Sequence, residues 1–174
     1  DVYKRQAELL HVIEPSAGDC FFIPAGTVHA IGAGLMIAEI QQASDVTFRL
    51  FDWNRNGPHG TPRRLDVEAA LNVTDFATGP VARQRPHAIR PAVVSRLVSC
   101  PAFSLDRWTW QGDEALGGDD IFHLVTVLEG QVDLEAKSGQ ATLARGQTSL
   151  IPACCQVQMH AAQPCVMLDA HLSE

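Results

Sequence analysis

Several sequence features are absent from this chain of 174 residues, and each absence excludes a class of protein. Basic residues are not in excess: 13 Lys and Arg stand against 20 Asp and Glu, which gives a net charge of -7. This balance gives little support for binding to nucleic acid or to an anionic membrane surface. No stretch approaches the ~20 consecutive apolar residues of a membrane span. We therefore expect a globular protein with no nucleic-acid partner and no membrane partner.

The sequence also lacks the C-x-x-C spacing of redox and zinc motifs. Its five cysteines are Cys20, Cys100, Cys154, Cys155 and Cys165. An odd number without that spacing argues against a disulfide framework and against a cysteine-rich zinc site. We therefore expect free thiols in a reducing cytoplasm.

The first residue is Asp rather than Met, and residues 1–10 do not read as a clean domain start. We therefore expect a fragment whose N-terminal portion lies outside this sequence, and residues 1–6 need not be native. Short apolar segments separated by Gly and Pro then predict strands. These predicted strands cover residues 8–14, 20–23, 27–31, 35–40 and 46–53. A polar loop follows at 54–64.

The middle of the chain differs from both ends. Apolar residues recur at helical spacing over 65–76, and Asp66 and Glu68 lie near the start of this segment, where the helix dipole favours acidic side chains. The spacing predicts one helix there. Residues 77–92 contain three prolines and three arginines without a period, which predicts a linker.

From residue 93 onward the pattern is that of an all-β domain. The predicted strands are VSRLVSC, AFSLDRWTW, IFHLVTVLEG, QVDLEAK, QATLARG, TSLIPA and VMLDAHL. Short strands at this spacing are typical of a sandwich or small barrel. The pattern Gly-x5-Pro occurs at 18–24 and again at 146–152. We therefore predict two related β-barrels, the first incomplete, with boundaries at 1–64, 65–92 for the helix and linker, and 93–174.

The first copy of that pattern carries a candidate metal ligand. Gly18, Pro24, Gly26 and His29 form the spacing G-x5-P-x-G-x2-H. This spacing resembles the second conserved motif of the cupin superfamily, in which a strand after the Pro-x-Gly bend presents a histidine at the barrel mouth. A neutral imidazole is the commonest metal-binding side chain. An isolated histidine is also often structural, but the complete spacing favours metal ligation by His29.

One histidine does not complete a metal site. A catalytic zinc needs about three protein ligands and an open position. The sequence contains no H-x-H motif, and the other histidines are scattered through loops and the second half. The remaining ligands are therefore expected upstream of residue 1.

The sequence downstream of His29 narrows the resemblance. The segments FFIPAGTVHAIGAG (21–34), AEIQQASD (38–45), FRLFDWNR (48–55) and PRRLDVEAAL (62–71) closely resemble, in order, the C-terminal half of bacterial type I mannose-6-phosphate isomerases. Those enzymes are zinc cupins. The resemblance implies a cupin-like double-stranded β-helix fold, with His29 as a ligand of one Zn²⁺. It also implies a hexose 6-phosphate as the small-molecule partner.

The resemblance also implies roles for residues after the histidine. Arg49 would lie over the substrate and support proton transfer, with Asp45 as its acid–base partner. Ser44, Glu39 and Gln42 would line the substrate pocket. The implied reaction interconverts mannose 6-phosphate and fructose 6-phosphate through a cis-enediol.

The residues themselves leave alternatives open. Glu39, Asp45, Arg49 and Asp52 are charges within apolar segments, where an unpaired ion is costly, so Asp45 and Arg49 are also compatible with a structural salt bridge. Glu39 could orient a metal ligand or pair with an arginine. A non-catalytic sugar-binding or regulatory cupin is the alternative function. A metal-dependent cupin oxygenase is a third, in which Arg49 and Asp45 have no evident role.

The second Gly-x5-Pro copy lacks the histidine. Five residues after its proline stands Val157, and Cys154 occupies the place of the glycine. An apolar side chain cannot ligate a metal, so we expect no metal in the second barrel. His123 is then expected to be a strand residue rather than a ligand.

Overall fold

A computed structural model describes residues 5, 8–44, 46–57 and 60–173 of the chain. It divides into two compact units, residues 1–83 and 84–174. Among the described residues, one α-helix, α1 (Val67–Val73), lies in the first unit. The eight strands of this described part all lie in the second unit. The mainly-β class predicted from the sequence is therefore confirmed.

The strands of the second unit form one antiparallel sheet. They are β1 (His87–Arg90), β2 (Val94–Ser99), β3 (Ser104–Gly117), β4 (His123–Glu129), β5 (Gln131–Ala136), β6 (Gly139–Ala144), β7 (Thr148–Ile151) and β8 (Gln156–His171). The order along the main path is β1-β2-β3-β8-β4-β7, and β5 pairs with both β6 and β8. Within residues 84–173 no ladder joins β1 to β7, so the sheet is open rather than closed into the predicted barrel.

The long strand β8 organises this sheet because it pairs with three others. It runs antiparallel to β3 over almost its whole length, its second half pairs with β4, and its first half pairs with β5. Alternate side chains of β8 face the core, as the two-residue period of a strand requires. Apart from the exposed Gln163, the alternate residues from 157 to 167 are buried at 6% exposure or less: Val157, Met159, Ala161, Cys165 and Met167.

The core of the second unit packs β3 and β4 against this face of β8. Met167 stands opposite Trp108 on β3 and opposite Val127 on β4. Trp108 and Trp110 form an edge-to-face pair with ring centroids 6.2 Å apart, and each is at most 7% exposed. These tryptophans therefore pack in the core.

The first unit is built mainly from turns. None of its described residues lies in a regular strand, although strands were predicted at 8–14, 20–23, 27–31, 35–40 and 46–53; the nearest features are isolated bridges such as Phe21 with Arg83. A strand is stable only when a neighbour receives its backbone hydrogen bonds. These segments have no such neighbour among the described residues of the unit. Helix α1 lies inside the predicted 65–76 and is shorter at both ends.

The five cysteines are free thiols, as expected from their number and spacing. The Sγ atoms of Cys154 and Cys155 lie 4.0 Å apart at the turn between β7 and β8. No helix in the described part of the chain has the length and apolar character needed to cross a membrane.

Candidate active-site segment

The histidine-bearing turn is fixed by backbone contacts. The Thr27 amide donates to the Pro24 carbonyl at 3.2 Å, and Gly26 between them has φ of +85°. The Gly26 carbonyl accepts from the Asp75 amide just after α1, and a Cβ at Gly26 would lie 2.9 Å from the Val73 carbonyl oxygen. Both the left-handed backbone and this close approach require glycine. The end of α1 therefore holds the turn that precedes His29.

His29 lies exposed after this turn, with one ring nitrogen engaged. Its Nδ1 is 2.9 Å from the Thr27 carbonyl oxygen, which can only accept a hydrogen bond. Nδ1 therefore carries the proton in the neutral ring and Nε2 keeps its lone pair. A backbone carbonyl that orients the ring in this way is typical of metal-binding histidines.

The predicted zinc site has one ligand in this chain, His29. Among the residues that the structure describes, no group of three or more His, Cys, Asp or Glu side chains could hold a metal ion. A zinc at His29 therefore requires ligands beyond this set. The tautomer of His29 fits the predicted role, and its role as a ligand remains a prediction.

Arg49 is held by the segment that leads into α1. Its guanidinium Nη1 donates to the Arg64 carbonyl at 3.4 Å, and its own carbonyl accepts from the Asp66 amide at 2.8 Å. Arg64 is in turn paired with Asp66, with Nε 3.1 Å from Oδ1. Among the described residues the guanidinium donates to this one backbone carbonyl, which leaves further N–H donors for a ligand.

Asp52 is the buried charge of this segment, and it is paired. Only 5% of the residue is exposed, and its carboxylate accepts hydrogen bonds from Arg63 and Arg55. The Arg63 Nε lies 2.6 Å from Oδ2, and the Arg55 Nη2 lies 2.5 Å from Oδ1. The hydrogen bonds from Arg63, with those from Arg55, hold the pKa of Asp52 well below its ordinary range despite its burial. Asp52 is therefore a structural carboxylate.

The pairing of Asp52 creates a cationic hollow that the sequence did not reveal. Two guanidiniums share one carboxylate, which leaves a net charge of +1. A shallow hollow beside them is lined by Arg55, Asn56, Gly57 and Arg63. Arginine has the planar donor geometry that binds phosphate oxygens in pairs. The hollow can therefore accept an anionic group.

The remaining predicted pocket residues are less constrained. Ser44, Glu39 and Gln42 lie exposed, and the Ser44 Oγ accepts from the Val46 amide at 3.3 Å. Glu39 forms no ion pair with an arginine among the described residues. Asp45, the predicted acid–base partner of Arg49, lies outside the described residues. The roles of these residues stay predictions.

The second Gly-x5-Pro copy closes with the same backbone hydrogen bond, although Cys154 at the place of Gly26 does not have a positive φ. The Cys155 amide donates to the Pro152 carbonyl at 2.9 Å, as Thr27 does to Pro24. Val157 is 6% exposed and belongs to the hydrophobic core. His123 lies on β4, as predicted, and is hydrogen-bonded to carboxylates.

Comparison with known families connects the sheet of the second unit to one domain type. Residues 94–157 match the family described as mannose-6-phosphate isomerase, cupin domain. This match covers β2 to the start of β8. It confirms the cupin-like fold predicted for this half of the chain.

Comparison with curated proteins extends the similarity. The chain is 32% identical over 146 residues to the mannose-6-phosphate isomerase ManA of Bacillus subtilis (strain 168). It is 34% identical over 144 residues to the mannose-6-phosphate isomerase of Streptococcus mutans serotype c. Each match covers 83% of this chain and 46% of the relative, so the chain spans about half the length of the curated relatives it matches.

A solved structure shares the fold. The mannose 6-phosphate isomerase from Bacillus subtilis superposes with a TM-score of 0.62 at 23% identity, over 74% of this chain and 41% of that one. The resemblance that the segments between Gly18 and Arg55 predicted is therefore confirmed: residues 94–157 match the family of mannose-6-phosphate isomerase cupin domains, and most of the chain resembles part of the bacterial mannose-6-phosphate isomerases.

Proposed function

We propose that this chain is part of a zinc-dependent aldose–ketose isomerase that interconverts mannose 6-phosphate and fructose 6-phosphate through a cis-enediol. The observation that carries the proposal is the similarity of 83% of the chain to mannose-6-phosphate isomerases. Because the chain spans 46% of those relatives, the activity is assigned to the whole protein. The free cysteines favour the cytoplasm as its compartment.

His29 would supply one ligand to the zinc through Nε2. The Thr27 carbonyl orients the ring by accepting from Nδ1, which leaves Nε2 directed outward with its lone pair. A bound zinc would polarise the sugar oxygens. The other ligands would come from the part of the isomerase that this chain does not span.

Arg49 and Asp45 would carry out the proton transfer. In the forward direction, the hydrogen on C2 of the open-chain aldose is removed as a proton and a proton is added at C1, while the hydroxyl proton passes from O2 to O1. The permanently charged guanidinium of Arg49 would stabilise the enediolate between the two steps. Its contacts with Arg64 and Asp66 hold it in place before substrate binds. Ser44, Glu39 and Gln42 would line the sugar pocket.

The hollow beside Arg55 and Arg63 would bind the phosphate of the substrate. Asp52 orients both guanidiniums from its buried position, and the charge that remains is positive. A phosphate at this position would form charge-assisted hydrogen bonds, which are about twice as strong as neutral ones. The phosphate is remote from C1 and C2, so this contact would be equally strong in the ground state and in the transition state.

Replacement of Arg55 in the full-length isomerase tests this assignment. We expect Arg55→Gln to raise the KM for mannose 6-phosphate by about tenfold with little change in kcat, because a charge-assisted hydrogen bond contributes ~1.5–3 kcal/mol to binding. Steady-state kinetics measure both constants. Arg85→Gln is the matched control, because Arg85 is an exposed arginine that does not line the hollow. Equal KM values for the two variants would remove the hollow from the substrate site.

The function itself is tested by metal removal from the full-length protein. We expect dialysis against a chelator to abolish conversion of mannose 6-phosphate to fructose 6-phosphate, and added Zn²⁺ to restore it. Turnover that survives complete metal removal would contradict the role of zinc. A zinc-loaded protein that binds the sugar phosphate without converting it would instead support the non-catalytic sugar-binding alternative.

A further inference from the structure

A layer of charged side chains crosses four strands at one end of the second unit's core. On β8, the buried apolar series that includes Cys165 and Met167 continues on the same face with Asp169 and His171. Four of the layer's residues are at most 5% exposed: Ser104, Asp106, His123 and Asp169. Ion pairs are seldom buried to this degree, because each charge must be removed from water.

Strand register places like charges opposite each other in this layer. Asp106 on β3 pairs with Asp169 on β8, and His123 on β4 pairs with His171 on β8. Like charges directly opposite are destabilising when nothing neutralises them. The arrangement is therefore stable only if each carboxylate has a cation beside it.

The hydrogen bonds show which groups are charged. The Nδ1 of His123 lies 3.0 Å from both oxygens of Asp169, and its Nε2 lies 3.1 Å from Asp119 Oδ2. A carboxylate can only accept, so both nitrogens of His123 must donate, and the ring is an imidazolium. Asp119, between β3 and β4, is 48% exposed in its side chain, so one partner of this buried ring reaches solvent.

His171 has the same double engagement. Its Nε2 lies 3.3 Å from Asp106 Oδ2, and its Nδ1 lies 2.9 Å from the Leu172 carbonyl oxygen. Arg96 on β2 also binds Asp106, with Nε 2.5 Å from Oδ1, and donates to Ser104 at 3.1 Å. Ser173 lies 3.3 Å from Ser104 and donates to the Cys100 carbonyl. Both histidine rings are thus surrounded by acceptors.

The charges of the layer balance. Three carboxylates (Asp106, Asp119 and Asp169) face one guanidinium (Arg96) and two imidazoliums (His123 and His171). Loss of the two ring protons would leave a net charge of -2 in a buried site. It would also place a ring lone pair against an acceptor.

We propose that this layer is a pH-sensitive lock on the second unit, in which protonated His123 and His171 join β4 and β8 to the carboxylates of β3 and β8. Deprotonation of the two rings weakens this end of the sheet. The lock is independent of the isomerase function proposed above, because none of its residues belongs to the proposed active site.

The pKa shifts of His123 and His171 determine how the stability of the second unit changes with pH. Burial opposes the charged form of His123, but the hydrogen bonds and charges of Asp169 and Asp119 outweigh it and raise its pKa. The hydrogen bond to Asp106 raises the pKa of His171. A histidine whose pKa is higher in the folded state than in the unfolded state stabilises the fold. This contribution is complete below the unfolded-state pKa of about 6.5, and it disappears as the pH rises through the folded-state pKa.

The carboxylates of the layer determine the pH below which the lock loses stability. Burial opposes the charged forms of Asp106 and Asp119, but the hydrogen bonds from His171 and Arg96 lower the pKa of Asp106, and that from His123 lowers the pKa of Asp119. Their contribution is present above about pH 4 and is lost as the pH falls through the lowered values. The lock is therefore strongest between about pH 4 and pH 6.5.

Nuclear magnetic resonance of the 174-residue chain tests the protonation states directly. We expect the ¹⁵N signals of His123 and His171 to show both ring nitrogens protonated at pH 6, and to change at a higher pH than the histidine signals of the urea-unfolded chain. His123→Asn and His171→Asn assign the two signals. Neutral rings at pH 6 would overturn the proposal, and this result does not depend on whether a variant folds.

Thermal unfolding tests the effect on stability. Fluorescence of Trp108 and Trp110 reports on the second unit once the exposed Trp53 of the first unit is replaced in a Trp53→Phe background. We expect the Tm to fall by about 5 °C or more between pH 6 and pH 9. The double variant His123→Asn, Asp169→Asn should reduce that fall.

His160→Asn is the matched control. His160 lies on β8 and pairs with Asp113 at 2.5 Å, but the two side chains are 55% and 85% exposed. This pair is solvated, so its loss should leave the pH dependence of Tm unchanged. A double variant with the same fall as the parent, or a control that reduces the fall as much as the double variant does, would overturn the lock.

Discussion

Replacement of His29 by Ala in the full-length protein should abolish zinc binding and nearly all of the isomerase turnover that we propose. We expect kcat/KM for mannose 6-phosphate to fall by about 10³-fold or more. Replacement of a residue that only orients a metal ligand already lowers metal affinity or activity by about 10–100-fold. A ligand itself has a larger effect, since a catalytic zinc is held by about three protein side chains. Elemental analysis of the purified variant and steady-state kinetics measure the two losses.

His11→Ala is the control for that experiment. His11 is an exposed histidine of the same unit. Its removal should change neither the zinc content nor kcat/KM. If His29→Ala retained one zinc per chain and the parent's turnover, the Gly-x5-Pro-x-Gly-x2-His spacing would be a structural turn in this protein.

The largest loss of stability is expected at Met167, in the middle of the second unit's core. Met167 is fully buried on β8 between Trp108 and Val127. Met167→Ala removes the contacts of a long side chain and leaves a cavity, which costs ~2–5 kcal/mol. For a domain of this size the Tm should fall by about 10 °C or more. Tryptophan fluorescence in the Trp53→Phe background measures this change.

Leu150→Ala tests whether burial explains the effect. Leu150 is an apolar residue of the same sheet, on β7, and it is 58% exposed. Its truncation should change stability by about 0.5 kcal/mol or less, as is usual for surface positions. A loss at Leu150 as large as that at Met167 would show that the fluorescence change does not report on the core.

The strands of the second unit could be predicted because their own residues specify them. β4 and β5 alternate buried and exposed side chains between Gly and charged turns. The first half of β8 could not be predicted in the same way, since it carries several polar residues and is followed by Pro164. Strand β1 lies in the arginine- and proline-rich segment that we predicted as a linker, and it is a strand because β2 pairs with it.

The first unit shows the limit of prediction from local pattern. Its short apolar segments have the sequence pattern of strands, but their described residues form no regular strand in the structure. Whether a segment forms a strand also depends on a pairing partner, which the sequence of the segment itself does not contain. The spacing of the histidine motif identified the His29 turn because all of its contacts are within a few residues or at the end of α1. The pairing of Asp52 with Arg63 joins residues eleven positions apart across a loop, so no local signal indicated the cationic hollow.

The two Gly-x5-Pro turns separate a scaffold from the chemistry it can carry. Both copies close with the same backbone hydrogen bond, although one is followed by an exposed histidine and the other by a buried valine. The turn therefore does not need the histidine in order to form. The hydrogen bond that closes each bend joins backbone atoms alone, so the position after the bend can carry either an exposed imidazole or a side chain that packs in a core.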